Sequence, residues 1–148
     1  MYTQPKIILE HIDGEEWVIR EEIITTVSNN KNTYTIRILP GFITDGASIP
    51  KVVHMLINPF DSIWALASTV HDALYVKKIT TREEADLIFL QLMLDNVNDE
   101  SLSWYNRIIQ TTFSWVAYRS VRIGGWVYWS RDKSEEQQNL VQVNTIGL

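Results

Sequence analysis

Alternation of apolar and polar side chains marks the first third of the chain as β-structure. Tyr34, Ile36 and Ile38 alternate with Thr35 and Arg37, the period of two of a strand with one face buried. Upstream, Lys6 to His11 reads as a short apolar strand, followed by the turn residues Ile12-Asp13-Gly14. Trp17 to Val27 reads as a longer β-branched strand, closed by the polar cluster Ser28-Asn29-Asn30-Lys31-Asn32. Pro40-Gly41 ends the region. The pattern predicts an antiparallel meander of about three strands with one face on the core.

After Pro50 the period becomes helical. Lys51 to Ile57 suits a short turn or helix before Asn58-Pro59. Asp61 or Ser62 then caps a helix running to about Lys77, where Lys77 and Lys78 meet the negative end of its dipole. Thr80 and Glu83 have capping-box spacing. The helix they open carries Ala85, Ile88, Phe89, Leu92 and Met93 on one stripe, and Val97-Asn98-Asp99 breaks it. A third helix is predicted over Ser101 to Ile123, with Trp104, Ile108, Trp115 and Tyr118 near one face, and Gly124-Gly125 stops it. The fold class is therefore α+β, with strands first and three main helices after, as one domain over 1–130. Residues 131–148 form a polar tail, extended or mobile, whose Leu140, Val141, Val143 and Ile146 can clip onto a neighbour.

Composition narrows the function classes. The 148 residues are 45% hydrophobic and 21% charged, the balance of an ordinary globular chain large enough to bury a core. A net charge of −5 argues against general nucleic-acid binding, which depends on a basic surface. No cysteine is present, which removes disulfides and thiolate metal ligands. No apolar run approaches the roughly 18 residues of a membrane span. Met1 to Glu10 lacks the basic start and cleavage site of a signal peptide. Four of the six tryptophans (Trp104, Trp115, Trp126, Trp129) fall in the last third, with Tyr105, Phe113, Tyr118 and Tyr128. They suit either a core filled with large rings or a contact surface over 104–129 for a protein partner or lipid headgroups.

The chemistry concentrates in three strings: Asp45-Gly46-Ala47-Ser48, His71-Asp72-Ala73-Leu74-Tyr75, and Arg82 to Phe89 with Asp86 within it. Short loops make consecutive helices antiparallel. His71, near the end of one helix, then comes opposite Asp86, near the start of the next. A carboxylate on one imidazole nitrogen leaves the other to take a proton from water. Tyr75 lies one turn on from His71, and Arg82, four residues before Asp86, can hold that carboxylate ionised. Asp72 points about 100° away from His71, toward the Asp45 loop. Asp72, Asp45 and the backbone of Gly46, supported by Ser48, make an oxygen-rich set for Ca²⁺ or Mg²⁺. Adding His71 would suit Zn²⁺ instead. The bland alternative is a helix cap, a turn and a surface pair.

Two resemblances follow from these residues. Gly41-Phe42-x-Thr44-Asp45-Gly46-Ala47-Ser48-x-Pro50, His71-Asp72-x-Leu74-Tyr75, Arg82-x-x-Ala85-Asp86-x-x-Phe89 and Tyr118-x-Ser120-Val121-Arg122-x-x-Gly125 resemble, in order, a bacteriophage and prophage family of unknown function. That resemblance implies a phage origin, with the host cytoplasm or the virion as the location. The His-Asp-x-x-Tyr helix is also similar to that of phospholipases A2. This second resemblance implies His71 as base, Asp86 as its orienting carboxylate, Tyr75 as support for Asp86, and Asp72 as a ligand to Ca²⁺. The glycine-rich calcium loop of those enzymes is not reproduced by residues 45–48.

Two functions stand as expectations. The first is a phage-encoded, metal-assisted hydrolase of an ester or phosphoester bond in lipid or cell envelope, with catalytic residues His71, Asp86 and Tyr75. The second is a non-enzymatic virion or assembly protein, in which the same network is structural and the aromatic segment meets other virion proteins.

Overall fold

The computed structural model describes residues 7–14, 16–45, 62–97 and 102–147. Its most regular β-element is a hairpin of β3 (Ile23–Ser28) and β4 (Asn32–Ile38), in register from Ile23 opposite Ile38 to Ser28 opposite Thr33. Ile23, Thr25 and Val27 point inward with Tyr34, Ile36 and Ile38, as the period of two requires. The Asn29 side chain closes the turn by accepting from the amides of Lys31 and Asn32, both at 2.8 Å.

The strands form two three-stranded sheets, β1-β2-β5 and β3-β4-β6, followed by helices, which makes the fold α+β. This corrects the single meander. The β-branched run over Trp17–Val27 is two strands, β2 (Glu16–Ile19) and β3, in different sheets. Between them Arg20 turns away, its amide donating to the Ile8 carbonyl and its guanidinium pairing with Glu10 at 2.5 Å. The first strand, β1, covers Leu9–Asp13, Lys6 lies outside the described residues, and β5 is the short pair Ile43–Thr44 on β2.

Helix α1 (Ser62–Lys77) is buried on almost every side, from Trp64 through His71 and on through Ala73 to Val76. Its charge-free run is the reason: a helix without a polar face belongs in the middle of a core. Four residues connect it to α2 (Arg82–Val97), and the two pack along each other as a helical hairpin. The capping box of α2 lies one residue later than the sequence spacing suggested. Thr81 and Glu84 exchange bonds, Thr81 N to Glu84 Oε2 at 2.9 Å and Glu84 N to Thr81 Oγ1 at 3.2 Å.

Helix α3 (Trp104–Gly124) begins three residues after the expected Ser101, behind its cap Ser103, and lays Ser114, Ala117 and Val121 against α2. Small residues there let the two backbones approach closely. Gly125 does not end the helical course; a further turn, α4 (Trp126–Trp129), follows it. Gly125 has an ordinary helical φ of −65°, so its role is space. A Cβ there would sit 2.3 Å from the Val121 carbonyl oxygen and 2.5 Å from the Tyr75 hydroxyl.

The C-terminal segment, expected to be extended or mobile, is a short helix α5 (Glu135–Asn139) and a strand β6 (Val141–Gly147) paired along the whole of β4. Gln137 of α5 accepts from the Ile43 amide at 2.8 Å and donates to the Gly41 carbonyl at 3.3 Å. The tail thereby fixes β5, the strand that leads into Asp45. The expected turn at Lys51–Ile57 and the capping Asp61 lie outside the described residues. Among the described residues, no helix is long and apolar enough to cross a membrane.

Candidate functional site

His71 stands on the side of α1 that faces α2, and its Nε2 lies 2.8 Å from Asp86 Oδ1. The same carboxylate oxygen accepts the Tyr75 hydroxyl at 2.6 Å, while Oδ2 accepts Arg122 Nη1 of α3 at 2.8 Å. Asp86 is fully buried. Burial alone would raise its pKa, but the bonds from His71, Tyr75 and Arg122 outweigh it and hold the carboxyl below the usual aspartate value. An ionised carboxylate can only accept, so the proton of the His71–Asp86 bond sits on Nε2. Burial, reinforced by the Asp86 charge, pushes the Tyr75 phenol up, so it remains a donor. The Arg122 guanidinium is likewise raised, chiefly through its bond to Asp86.

With Nε2 committed, Nδ1 is the ring nitrogen that can accept. It is buried and has no hydrogen-bond partner among the described residues. The ring packs against Tyr75 at 4.2 Å and Phe89 at 4.9 Å between centroids, which fixes its plane. His71 also forms part of the wall of a cleft of about 110 Å³, shared with Asp72, Asp45, Tyr75 and the end of α3 around Val121 and Gly124.

Asp72, one residue on, turns to the β-layer, where the Thr44 hydroxyl of β5 donates to its Oδ2. That bond ties α1 to β5 and brings Asp72 and Asp45 to the same cleft. The donor types on this wall, two carboxylates and an imidazole, are of the kind that suits Ca²⁺ or Mg²⁺ better than a thiophilic ion. Among the described residues no group of three or more His, Asp or Glu side chains converges as a metal cage. The remaining ligands would be main-chain carbonyls and solvent. Gly46 and Ser48, expected to contribute, lie outside the described residues.

Arg82 forms the i,i+4 ion pair with Asp86 that its spacing suggested. Its Nη1 is 4.0 Å from Asp86 Oδ2, and it also donates to the carbonyls of Arg122 at 3.1 Å and Val121 at 3.5 Å, near the end of α3. The closer partner of Asp86 is Arg122, which the sequence reading left out of the site. No local spacing rule connects residues 86 and 122; the only signal was Arg122 within the motif ending at Gly125. The tryptophans depart from the core-filling alternative. Of the four in the last third, Trp104, Trp115 and Trp126 are exposed and Trp129 packs on the core, edge-on to Tyr75 at 5.0 Å.

No curated protein and no solved structure matches the chain. Residues 17–105, more than half of it, match the family described as Protein of unknown function (DUF1353). That span runs from β2 to the first residues of α3 and includes Asp45, His71, Asp72, Tyr75 and Asp86; the chain belongs to that family.

Proposed function

We propose that the cleft is a hydrolytic site in which His71 is the general base and Asp86 its positioning residue. One observation carries the reading: the imidazole is bonded on one nitrogen to a buried carboxylate, while the other, unbonded among the described residues, belongs to a ring in a cleft wall. A base so arranged takes a proton from a water held in the cleft as that water attacks a carbonyl or phosphoryl centre. Asp86 stabilises the imidazolium that results, and Tyr75 and Arg122 keep Asp86 ionised and fixed. Asp72 and Asp45 would hold a divalent cation, with Ca²⁺ first and Mg²⁺ or Zn²⁺ as alternatives. Such an ion supplies Lewis-acid polarisation of the scissile group. The substrate class is an ester or phosphoester of lipid or cell envelope, and the motif string supports a phage origin, with action in the infected host or from the virion.

A second reading has its own observation. Asp86 joins donors from α1 and α3 to α2, so the network also serves as a clamp between three helices, as a virion or assembly protein would need. Buried ion pairs can specify structure without chemistry.

Turnover assays and thermal melts separate the two. Under the hydrolase reading, a panel of phospholipid, carboxylic-ester and phosphodiester substrates shows chelator-sensitive turnover. Ca²⁺, Mg²⁺ or Zn²⁺ at about a hundred times its Kd adds roughly 2.7 kcal/mol, or roughly 5–10 °C in Tm. Asp72→Asn should abolish that increment. No turnover on any member, with melts indifferent to every metal, hands the network to the structural reading.

A further inference from the structure

We propose that the outward face of α3, continued by Trp126, docks on an anionic phospholipid bilayer. At 3.6 residues per turn, Trp104, Trp115, Ile108, Tyr105, Ile123 and Val116 fall within an arc of about 120°. All six are exposed, Trp104 by 74% and Ile123 by 78%, and Trp126 beyond the helix end by 63%. The opposite face, with Ser114, Ala117 and Val121, is taken up by α2, so the stripe has no partner among the described residues. Scattered exposed apolar side chains are ordinary, but one continuous stripe on a helix of 21 residues marks a contact surface.

Charge selects the occupant. From Trp104 to Arg131 the chain has four arginines and no acidic residue, whereas the remainder sets nine cationic side chains against eighteen acidic ones. Arg119 lies inside the apolar arc and is exposed, and Arg131 stacks over the Tyr128 ring at 5.0 Å. Tryptophan, tyrosine and arginine together suit the boundary between headgroups and acyl chains, and the absence of acids removes repulsion from an anionic surface. Thr112, the polar residue between Ile108 and Trp115 in the arc, turns its hydroxyl back to the Ile108 carbonyl at 2.8 Å, so it makes no demand on water. A second copy is a poor fit: a two-fold contact through this stripe would bury Arg119 of both helices with no carboxylate from either helix to pair with it.

The docked face abuts the cleft. Ser120 and Gly124, on the cleft wall, follow Val116 by one turn and Ile123 by one residue. Docking would therefore set the cleft rim at the bilayer surface. The surface does not rest on the hydrolytic reading, and His71→Gln should bind vesicles as the parent does.

The test is co-sedimentation with vesicles of phosphatidylcholine alone and of phosphatidylcholine with phosphatidylglycerol, with tryptophan emission recorded alongside. The full chain should partition at least tenfold more strongly onto the anionic vesicles, with a blue-shifted emission and weaker binding at high salt. Arg119→Glu combined with Trp115→Ala and Trp126→Ala, all exposed positions, should lose at least tenfold in partition with an unchanged melt. Equal partition onto both vesicle types, or none onto either, overturns the proposal. A concentration-dependent dimer that the triple variant abolishes also overturns it, assigning the stripe to a second copy.

Discussion

Asp86→Ala should be the most destabilising single change in the site. The substitution removes the acceptor of three donors at once, from His71, Tyr75 and Arg122, around a carboxylate with no exposure. Breaking a buried ionic pair by deleting one partner costs about 3–5 kcal/mol, because the remaining charge stays buried and unpaired. In a chain of this size that is on the order of 10 °C in Tm. Asp86→Asn keeps the volume but turns an NH₂ group toward one of the donors, so it should recover only part of the loss. The same carboxylate gives an acid signature. Its pKa in the folded chain is below the ordinary value of 3.8, so its stabilisation is complete above that value. It is lost as the pH falls through the lower, folded-state pKa. Denaturant titrations between pH 2 and 6 should show parent stability dropping at the acid end, and Asp86→Asn should flatten that part of the curve. A parent and variant with parallel acid profiles would mean that Asp86 is not the ionised centre of the network.

The largest effect on activity is expected from His71→Gln. A glutamine amide can still donate to Asp86 from about the position of Nε2, so the clamp between helices survives. What disappears is the basic ring nitrogen that Asp86 leaves unbonded. Loss of a positioned general base costs on the order of 10²–10⁴ in rate. The expected result is therefore turnover reduced by that factor with a melt close to the parent. His71→Ala should lose both turnover and stability, since it leaves Asp86 short of a donor in a buried setting. If glutamine restores turnover as well as stability, the histidine is a strut and the hydrolytic assignment fails.

The legible and illegible parts of this molecule divide by the range of the interactions that set them. The helical hairpin and the meeting of His71 with Asp86 followed from local rules: period, a short loop, and positions counted from it. The break inside Trp17–Val27 did not show, because β-branched residues favour both strands equally and only pairing with β1 and β5 or with β4 separates them. β6 was hidden for a related reason. It is an outer strand that buries Val141 and leaves most of its length exposed, so a polar composition masks a fully paired backbone. Arg122 was missed because its partner is 36 residues away on another helix. Whether the tryptophans of 104–129 filled the core or a surface stayed open in the sequence because ring size signals burial only on average, while the helix face decides it in each case.

At the centre of the site Asp86 holds one nitrogen of His71, and the other has no hydrogen-bond partner among the described residues. Long-range ¹H–¹⁵N spectra of the imidazole groups test it without knowledge of the substrate. For the neutral ring of His71 the account requires the proton on Nε2, an unprotonated Nδ1, and a change in that Nδ1 signal in Asp86→Asn. A neutral ring protonated at Nδ1, or one whose nitrogens ignore the Asp86 substitution, would contradict it.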